Sequence, residues 1–160
     1  MVDFKKIMDA HHPILFKIGR AYASGEDFDD LYQEMLINIW KALHNYKGDA
    51  KISTWLYKVA LNTALTYQRN SKRKPKGSVD FEKFQNSWSV SPAYAGTMDD
   101  KIHRLYVAIR QLRKDERSLI LLYLDEKSYE EMADILGFTT TNVGVKINRI
   151  KKKLYHLLKD

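Results

Sequence analysis

Aromatic and cationic side chains are interleaved in residues 54–74 of this 160-residue chain, TWLYKVALNTALTYQRNSKRK. Aromatic faces can stack on unpaired bases while lysine and arginine neutralise phosphates, so this composition favours single-stranded nucleic acid as a ligand. No acidic residue occurs within residues 50–79, so these cations have no local partners. Asn62 falls in the middle of the predicted helix, where asparagine is a poor helix former and needs another reason to be present. Trp55 has a second interpretation, as a side chain at least half in the core.

A helix-turn-helix pattern in residues 128–154, SYEEMADILGFTTTNVGVKINRIKKKL, is the second candidate for nucleic-acid binding. Ser128 and Glu131 predict a capping box at the start of the first helix. Gly137 can adopt the left-handed backbone of a turn, and Thr139 can cap the second helix. That helix combines an apolar stripe with an outer face of small, polar and basic side chains, which suits the major groove. The alternative is an ordinary antiparallel helix pair with a solvated basic face.

The elements that must position these residues are all predicted to be helices, in two small domains joined by a flexible linker. The predicted boundaries are residues 1–75, a linker at 76–97 and residues 98–160, which contain the helix-turn-helix. Pro13 either breaks the first helical segment or opens a second helix at its first turn. Ser53 is predicted to cap the aromatic and basic helix, which should end before Pro75.

The predicted helix over residues 28–46 has two distinct faces. One is an apolar stripe at helical spacing and belongs in the core. The second combines acidic, amide and apolar groups and includes Asp30, Gln33, Glu34 and Ile37. The pattern leaves open whether this second face is a solvated surface or a docking face for a basic partner helix.

Charge and composition narrow the class of protein. The net charge is +7, and an acidic cluster directly precedes the basic stretch, which suggests two different partners. Without cysteine there is no disulfide, thiol nucleophile or zinc–cysteine site. No apolar run approaches the ~20 residues of a membrane span, and the N-terminus lacks a signal-peptide core, so we expect a cytoplasmic protein without membrane insertion.

No constellation in the sequence predicts catalysis, a metal or a cofactor. His11 and His12 are adjacent and therefore point about 100° apart on a helix, so they converge poorly on one ion, and no third ligand is near. Clusters of Asp, Glu and His at metal-ligand spacing are absent from the sequence, as is a glycine-rich phosphate loop. We therefore expect surface histidines, no cofactor and no enzyme activity.

Two separate blocks of the sequence resemble one family. DLYQEMLINIWKAL, followed by Y-x-G and ISTWLYKVALNTALTYQR, resembles region two of the small alternative sigma factors of bacterial RNA polymerase. SYEEMADILGFTTTNVGVKINRIKKKL resembles region four of the same proteins, which carries a helix-turn-helix. The presence of these two regions alone, in this order, is typical of the extracytoplasmic-function group.

The resemblance implies a partner or a DNA element for each surface. The second face of the 28–46 helix would grip a coiled coil on the β′ subunit of core RNA polymerase. The loop and helix after it would capture a flipped base of the promoter's minus-ten element, where the amide of Asn62 can read a base edge. The implied minus-ten residues are Tyr46, Lys47, Trp55, Lys58, Asn62, Arg69, Lys72 and Arg73.

Region four would place its second helix in the major groove of the minus-35 element. The implied contact residues are Thr140, Thr141, Val145, Lys146, Asn148, Arg149 and Lys152. Residues 119–124, just ahead of the helix-turn-helix, would contact the polymerase β flap. The family is often held inactive by an anti-sigma factor, so such a protein is a further expected partner.

One departure from the family lies on the second helix of the helix-turn-helix. Many relatives carry basic or hydroxyl residues just after its valine, where this chain has Gly144 and Val145. Gly144 either lets the backbone approach DNA closely or is merely tolerated, at roughly 1 kcal/mol of helix propensity. Val145 points outward and can meet a thymine methyl. Our hypothesis is that this helix reads DNA with fewer charged base contacts.

Two other functional classes compete with this interpretation. A stand-alone helix-turn-helix repressor or activator would have a similar second helix, but it gives no account of the aromatic and basic helix or of the acidic face. A nuclease would need metal-ligand spacing of acidic residues, which the sequence lacks.

Overall fold

The computed structural model describes residues 3–67 and 99–159, and both ranges are helical, as predicted for an all-α protein. The helices are α1 (Phe4–Tyr22), α2 (Glu26–Ala42) with a 3₁₀ turn (Leu43–Asn45), α3 (Ile52–Thr66), α4 (Asp100–Arg110), α5 (Lys114–Leu124), α6 (Tyr129–Leu136) and α7 (Thr140–Leu158). We call residues 3–67 the N-terminal module and residues 99–159 the C-terminal module; the predicted linker lies outside the described residues. Within these ranges, no helix has both the length and the apolar character that crossing a bilayer requires.

Pro13 neither breaks the first helix nor opens a new one, contrary to both alternatives above, because α1 runs without interruption through it. Apolar side chains on both sides of the proline, among them Met8 and Leu15, are fully buried in the same core. Packing of this continuous stripe outweighs the one backbone hydrogen bond that proline removes. Asp3 caps the helix by accepting from the Lys5 amide at 3.1 Å.

The predicted cap of α3 is wrong, whereas the expected end before Pro75 is confirmed. Lys51 is the N-cap, without a side-chain hydrogen bond, and Ser53 lies within the first turn, where its hydroxyl accepts from Lys127 Nζ at 3.1 Å. The helix ends at Thr66, ahead of Pro75. Thr63 and Thr66 hydrogen-bond to carbonyls of their own helix, a local competition that weakens helix continuation.

The helix-turn-helix forms as its sequence predicts. Ser128 and Glu131 exchange hydrogen bonds of 3.0 and 3.1 Å between side chain and backbone, which completes the capping box. Gly137 ends α6 at φ +77°, and Thr139 caps α7 by accepting from the Asn142 amide at 3.1 Å. The apolar stripe of α7 is buried; it comprises Val143, Ile147, Ile150 and Leu154.

The two modules share one continuous apolar core, which the sequence did not predict. Helix α1 packs against α4 and α5, and α3 packs against α5 and α6. Tyr57 from α3 and Ile109 from α4 are both almost completely buried within it. The face of α3 that the sequence assigns to nucleic acid therefore lies close to the helix-turn-helix.

Glu116 is a buried charge that anchors α7 to α5. Its side chain is 8% exposed and accepts from Lys153 Nζ at 2.6 Å and from the Arg113 amide at 3.0 Å. Burial opposes the charge, but these hydrogen bonds outweigh burial and hold the pKa of Glu116 below its ordinary value. The Glu116–Lys153 pair therefore stabilises the fold fully at pH values above the ordinary glutamate pKa. This contribution is lost as the pH falls through the lowered pKa of Glu116.

We expect Lys153→Met to destabilise the protein by roughly 2–3 kcal/mol at neutral pH, because it removes the closer of two cations from buried Glu116 and leaves only the Arg113 guanidinium, 3.8 Å away. Urea unfolding at neutral and at acid pH measures this, and the difference from wild type should shrink in acid, where Glu116 is neutral in both proteins. Lys152→Met is the matched control, since Lys152 is exposed, and it should change stability by less than about 0.5 kcal/mol. Equal losses in the two variants would contradict the assignment of the loss to Glu116.

Candidate nucleic-acid and polymerase interfaces

An open groove of about 820 Å³ runs along α3 and contains three of the predicted minus-ten residues, Trp55, Lys58 and Asn62. Lys58 and Asn62 are four residues apart and therefore lie on one face of the helix. Asn38 of α2 donates to the hydroxyl of Thr63 at 2.9 Å and fixes α2 against α3 along this groove. We call it the α3 groove, and its lining residues are Asn38, Ala42, Trp55, Lys58, Val59, Asn62, Thr63, Asp134, Ile135, Leu136 and Gly137.

Asn62 has the exposure that a base-reading side chain needs. Its amide makes no hydrogen bond to any residue in the described ranges, although its backbone carbonyl accepts from Thr66 at 2.9 Å. Within the described ranges, no side-chain hydrogen bond therefore offsets the low helix propensity of asparagine at this mid-helix position. A free donor and acceptor pair beside a cation is suited to the edge of an unpaired base.

Two further members of the predicted minus-ten set lie in a second location. Tyr46 and Lys47 line a separate pocket of about 790 Å³ between the start of α1 and the end of α2. The Tyr46 hydroxyl donates to the carbonyl of Ala50 at 2.5 Å, which closes the loop on itself. Trp55 connects the two places, because it lines the α3 groove and its ring lies 5.2 Å from that of Tyr46. Arg69, Lys72 and Arg73 lie outside the described residues.

Trp55 is half-buried, so its interpretation as at least half core is confirmed. Its indole packs on the apolar core while part of it faces the α3 groove. An aromatic ring held in this way can offer one face for stacking without losing much conformational entropy on binding.

The outer face of α7 is open to a ligand along most of its length. Val145 is 47% exposed and points outward, as predicted. The other exposed residues of the predicted minus-35 set are Thr140, Thr141, Asn148, Arg149 and Lys152.

Lys146 is the one member of the minus-35 set that faces inward. Its Nζ lies 3.8 Å from Asp115 of α5 and 5.3 Å from the centre of the Phe138 ring. Its side chain is only 27% exposed, so it stabilises the packing of α7 against α5 and contributes little to the outer face of α7. Sequence spacing did not show this, because it depends on where α5 packs.

Gly144 is explained by helix packing within the helix-turn-helix. A Cβ at this position would lie 3.3 Å from the ring of Tyr129 at the start of α6. The close approach is therefore to α6, where the missing side chain makes room for the tyrosine. This supplies a structural reason that neither sequence alternative, approach to DNA or simple tolerance, had considered.

The acidic face of α2 is accessible over part of its area. Gln33 is exposed, while Asp30, Glu34 and Ile37 are half-buried, and Ile37 packs on the edge of the core. A face that combines carboxylates, an amide and an apolar side chain can bind a basic helix through both charge and packing.

Most of the segment predicted to contact a flap is internal. Leu119, Ile120, Leu121 and Leu122 are buried in the core of the C-terminal module. Tyr123 is half-buried, and Leu124 is 49% exposed at the end of α5. Only these last two residues of the segment offer a side chain to a partner.

Within the described ranges, no cluster of three or more His, Asp or Glu side chains could hold a metal ion. His12 Nδ1 lies 3.0 Å from the carbonyl of Met8, and both histidines are half-buried rather than fully on the surface. Partial burial, with a smaller effect of Lys127, lowers the pKa of His11.

Two family models match the chain. Sigma-70 region 2 matches residues 7–74, and sigma-70 region 4 matches residues 102–154. The chain is 30% identical to the RNA polymerase sigma-H factor of Pseudomonas aeruginosa, over 96% of this chain and 86% of that protein. It is also 30% identical to the ECF RNA polymerase sigma-E factor of Escherichia coli, over 89% of this chain and 79% of that protein.

Two solved structures share the fold. The sigma factor RpoE of Bartonella quintana, in complex with the anti-sigma factor NepR, has a TM-score of 0.69 at 22% identity and covers 96% of this chain and 95% of its own. CnrH, in complex with the cytosolic domain of CnrY, has a TM-score of 0.59 at 22% identity, over 98% and 87% of the two chains.

Proposed function

We propose, for a chain that belongs to the ECF sigma factors of bacterial RNA polymerase, that the N-terminal module opens promoter DNA and the C-terminal module positions it. As a member of this family the protein binds core RNA polymerase, directs it to promoters and helps to open the DNA. The observation that supports the division most directly is the exposed amide of Asn62 one helical turn from Lys58 in the α3 groove.

Opening of the duplex at the minus-ten element requires binding and no covalent chemistry by this chain. A flipped base leaves its stack at a cost of a few kcal/mol, which hydrogen bonds to Asn62 and stacking on Trp55 offset. Lys58 neutralises an adjacent phosphate, and Tyr46 and Lys47 contact the same strand further along. Arg69, Lys72 and Arg73 contribute further cations for phosphate binding. The protein acts as an initiation factor, without catalysis of its own.

Helix α7 enters the major groove of the minus-35 element through its exposed face. Asn148 and Arg149 offer hydrogen bonds to base edges or phosphates, and Thr140, Thr141 and Lys152 contact the backbone. Lys146 stabilises the orientation of α7 through Asp115 and supplies positive potential near the groove.

Val145→Ala should reduce discrimination at one base pair of the minus-35 element. The valine methyls pack on a thymine methyl, and removal of this contact costs about 1 kcal/mol, or roughly fivefold. Holoenzyme binding to all single-base variants of the element measures the effect. An unchanged profile across every variant would remove the base-reading role of this side chain.

The acidic face of α2 docks on the basic coiled coil of the β′ subunit. At the end of α5, the side chains of Tyr123 and Leu124 contact the β flap. Because the related RpoE structure is a complex with an anti-sigma factor, we infer that such a partner also binds this protein. We further infer that the protein acts with these partners in the cytoplasm.

A gel-shift experiment on duplex promoter DNA, with and without core RNA polymerase, tests this function. The protein alone should bind the duplex poorly, and addition of core should produce a specific complex that requires both elements. Tight specific binding by the protein alone, unaffected by core, would instead identify a stand-alone helix-turn-helix regulator.

A further inference from the structure

An asparagine of α2, Asn38, lies in the α3 groove near the proposed base-binding residue Asn62. Its Nδ2 donates to the hydroxyl of Thr63, the residue that follows Asn62 on α3, at 2.9 Å. Asn38 is exposed and lines the groove together with Asn62. The sequence did not indicate this residue, because only the packing of α2 on α3 brings it into the groove.

Two linked hydrogen bonds determine which atom of the Asn38 amide is available to a ligand. The Thr63 hydroxyl has one hydrogen, which it donates to the carbonyl of Val59 at 2.8 Å. It can therefore only accept from Asn38, so the amide nitrogen faces Thr63 and the amide oxygen points away from it. Thr63 is 4% exposed, so the hydroxyl that holds Asn38 is itself fixed by the packing of α3.

The amide oxygen of Asn38 is therefore a pre-positioned acceptor. It accepts no hydrogen bond from any residue in the described ranges. An exposed asparagine usually loses side-chain entropy when it binds a ligand, whereas the bond to Thr63 has already restricted this side chain. An acceptor held in one place distinguishes ligands by where their donors lie.

The remaining side chains that α2 and α3 contribute to the groove suit the ring of a base. Ala42, Trp55 and Val59 supply apolar surface, and all three are half-buried. The apolar side chains can pack on the faces of a base, while the amides of Asn38 and Asn62 meet its edge.

We propose that Asn38 reads the base captured in the α3 groove by accepting a hydrogen bond from its exocyclic amino group, with Thr63 as the positioning residue. The inference rests on the proposed capture of a minus-ten base in this groove. Adenine and cytosine carry an amino group, N6 or N4, at the position where guanine and thymine carry the acceptors O6 and O4. The fixed oxygen therefore pairs with the first two bases and opposes an acceptor in the other two, so the groove selects an amino-bearing base.

Docking on polymerase is the competing role for Asn38. The residue lies one helical turn from Glu34, at the edge of the acidic face of α2. A docking residue changes the affinity for core polymerase whatever the DNA sequence, whereas a base-reading residue changes the preference among bases and leaves the affinity for core unchanged. The experiment therefore measures both quantities.

The experiment is a selection by the holoenzyme from DNAs whose upstream duplex is random and whose minus-ten segment is a random single strand. With the wild type, one unpaired position should contain adenine or cytosine at least about tenfold more often than guanine or thymine. Asn38→Leu, which is similar in size and has no acceptor, should bring the four bases at that position within about threefold of one another. Asn45→Leu is the matched control and should change nothing, because Asn45 is exposed and lines neither the α3 groove nor the pocket at Tyr46.

Two variants of Thr63 separate positioning from packing. Thr63→Val keeps the shape of the side chain and removes the hydroxyl, so it should weaken the preference at the same position. Thr63→Ser retains the hydroxyl and should preserve the preference. If Thr63→Val kept the full preference, or if Thr63→Ser lost it equally, the positioning role of the hydroxyl would be overturned.

A chemical change in the selected DNA tests the hydrogen bond itself. Replacement of the selected adenine by purine, or of the selected cytosine by pyrimidin-2-one, removes only the amino group. It should weaken binding by the wild-type holoenzyme about tenfold and binding by the Asn38→Leu holoenzyme less than about twofold. Equal losses in the two holoenzymes would show that the amino group meets another residue and would overturn the inference.

Three further results of the selection would overturn the base-reading role of Asn38. They are selection of guanine or thymine by the wild type at every unpaired position, an unchanged preference in Asn38→Leu, and a lower affinity of Asn38→Leu for core polymerase with all base preferences retained. Each would leave the proposed function intact, because promoter opening by an Asn62→Ala variant tests that function separately.

Discussion

Asn62→Ala is expected to reduce open-complex formation by the holoenzyme by roughly 5- to 150-fold, with little change in its affinity for core polymerase. The range corresponds to the ~1–3 kcal/mol of one good base contact. Asn62 is exposed on α3 and makes no side-chain hydrogen bond within the described ranges, so the loss cannot be assigned to a weakened fold. Permanganate reactivity of unpaired thymines at the minus-ten element measures the open complex directly.

Thr66→Ala is the matched control for that experiment. Thr66 is exposed one turn further along α3, and its hydroxyl bonds to the carbonyls of Asn62 and Thr63 in the same helix. This variant should open promoters as the wild type does. If Asn62→Ala also opened them normally, the α3 groove would have no role in base capture.

Glu34→Arg is expected to weaken binding to core polymerase by about 100-fold or more. The substitution reverses a charge on the acidic face of α2, which we propose binds a basic helix, and like charges across an interface cost several kcal/mol. Fluorescence anisotropy of the labelled protein with core gives the affinity directly. Circular dichroism confirms that the helices are retained, because Glu34 is half-buried and a fold defect must be separated from a docking defect.

Asp49→Arg provides the same change of charge away from this face. Asp49 is exposed in the loop between α2 and α3. It should bind core nearly as well as the wild type. Equal losses for the two variants would indicate a general charge effect and remove the docking face.

Features determined by neighbouring residues were predictable from the sequence. The capping box at Ser128, the left-handed turn at Gly137 and the buried stripe of α7 each depend on contacts within one or two turns. The same holds for the exposure of Val145, since the stripe on one side of α7 defines the opposite face.

Features determined by packing between helices were not predictable. Pro13 is accommodated because the core continues on both sides of it, and Ser53 serves Lys127 of the other module rather than capping its own helix. Lys146 turns toward α5, and Gly144 makes room for Tyr129. In each case the deciding partner is distant in sequence or on another helix, where local propensity carries no information.

In-vitro transcription with purified core RNA polymerase on a library of bacterial promoter fragments tests the central claim most directly. We predict discrete start sites that require this protein, each preceded by two conserved elements at a fixed separation, and weakened by Asn62→Ala and Glu34→Arg. Complete absence of start sites that depend on the protein, from a preparation that is folded and binds core, would contradict its function as a promoter-opening sigma factor.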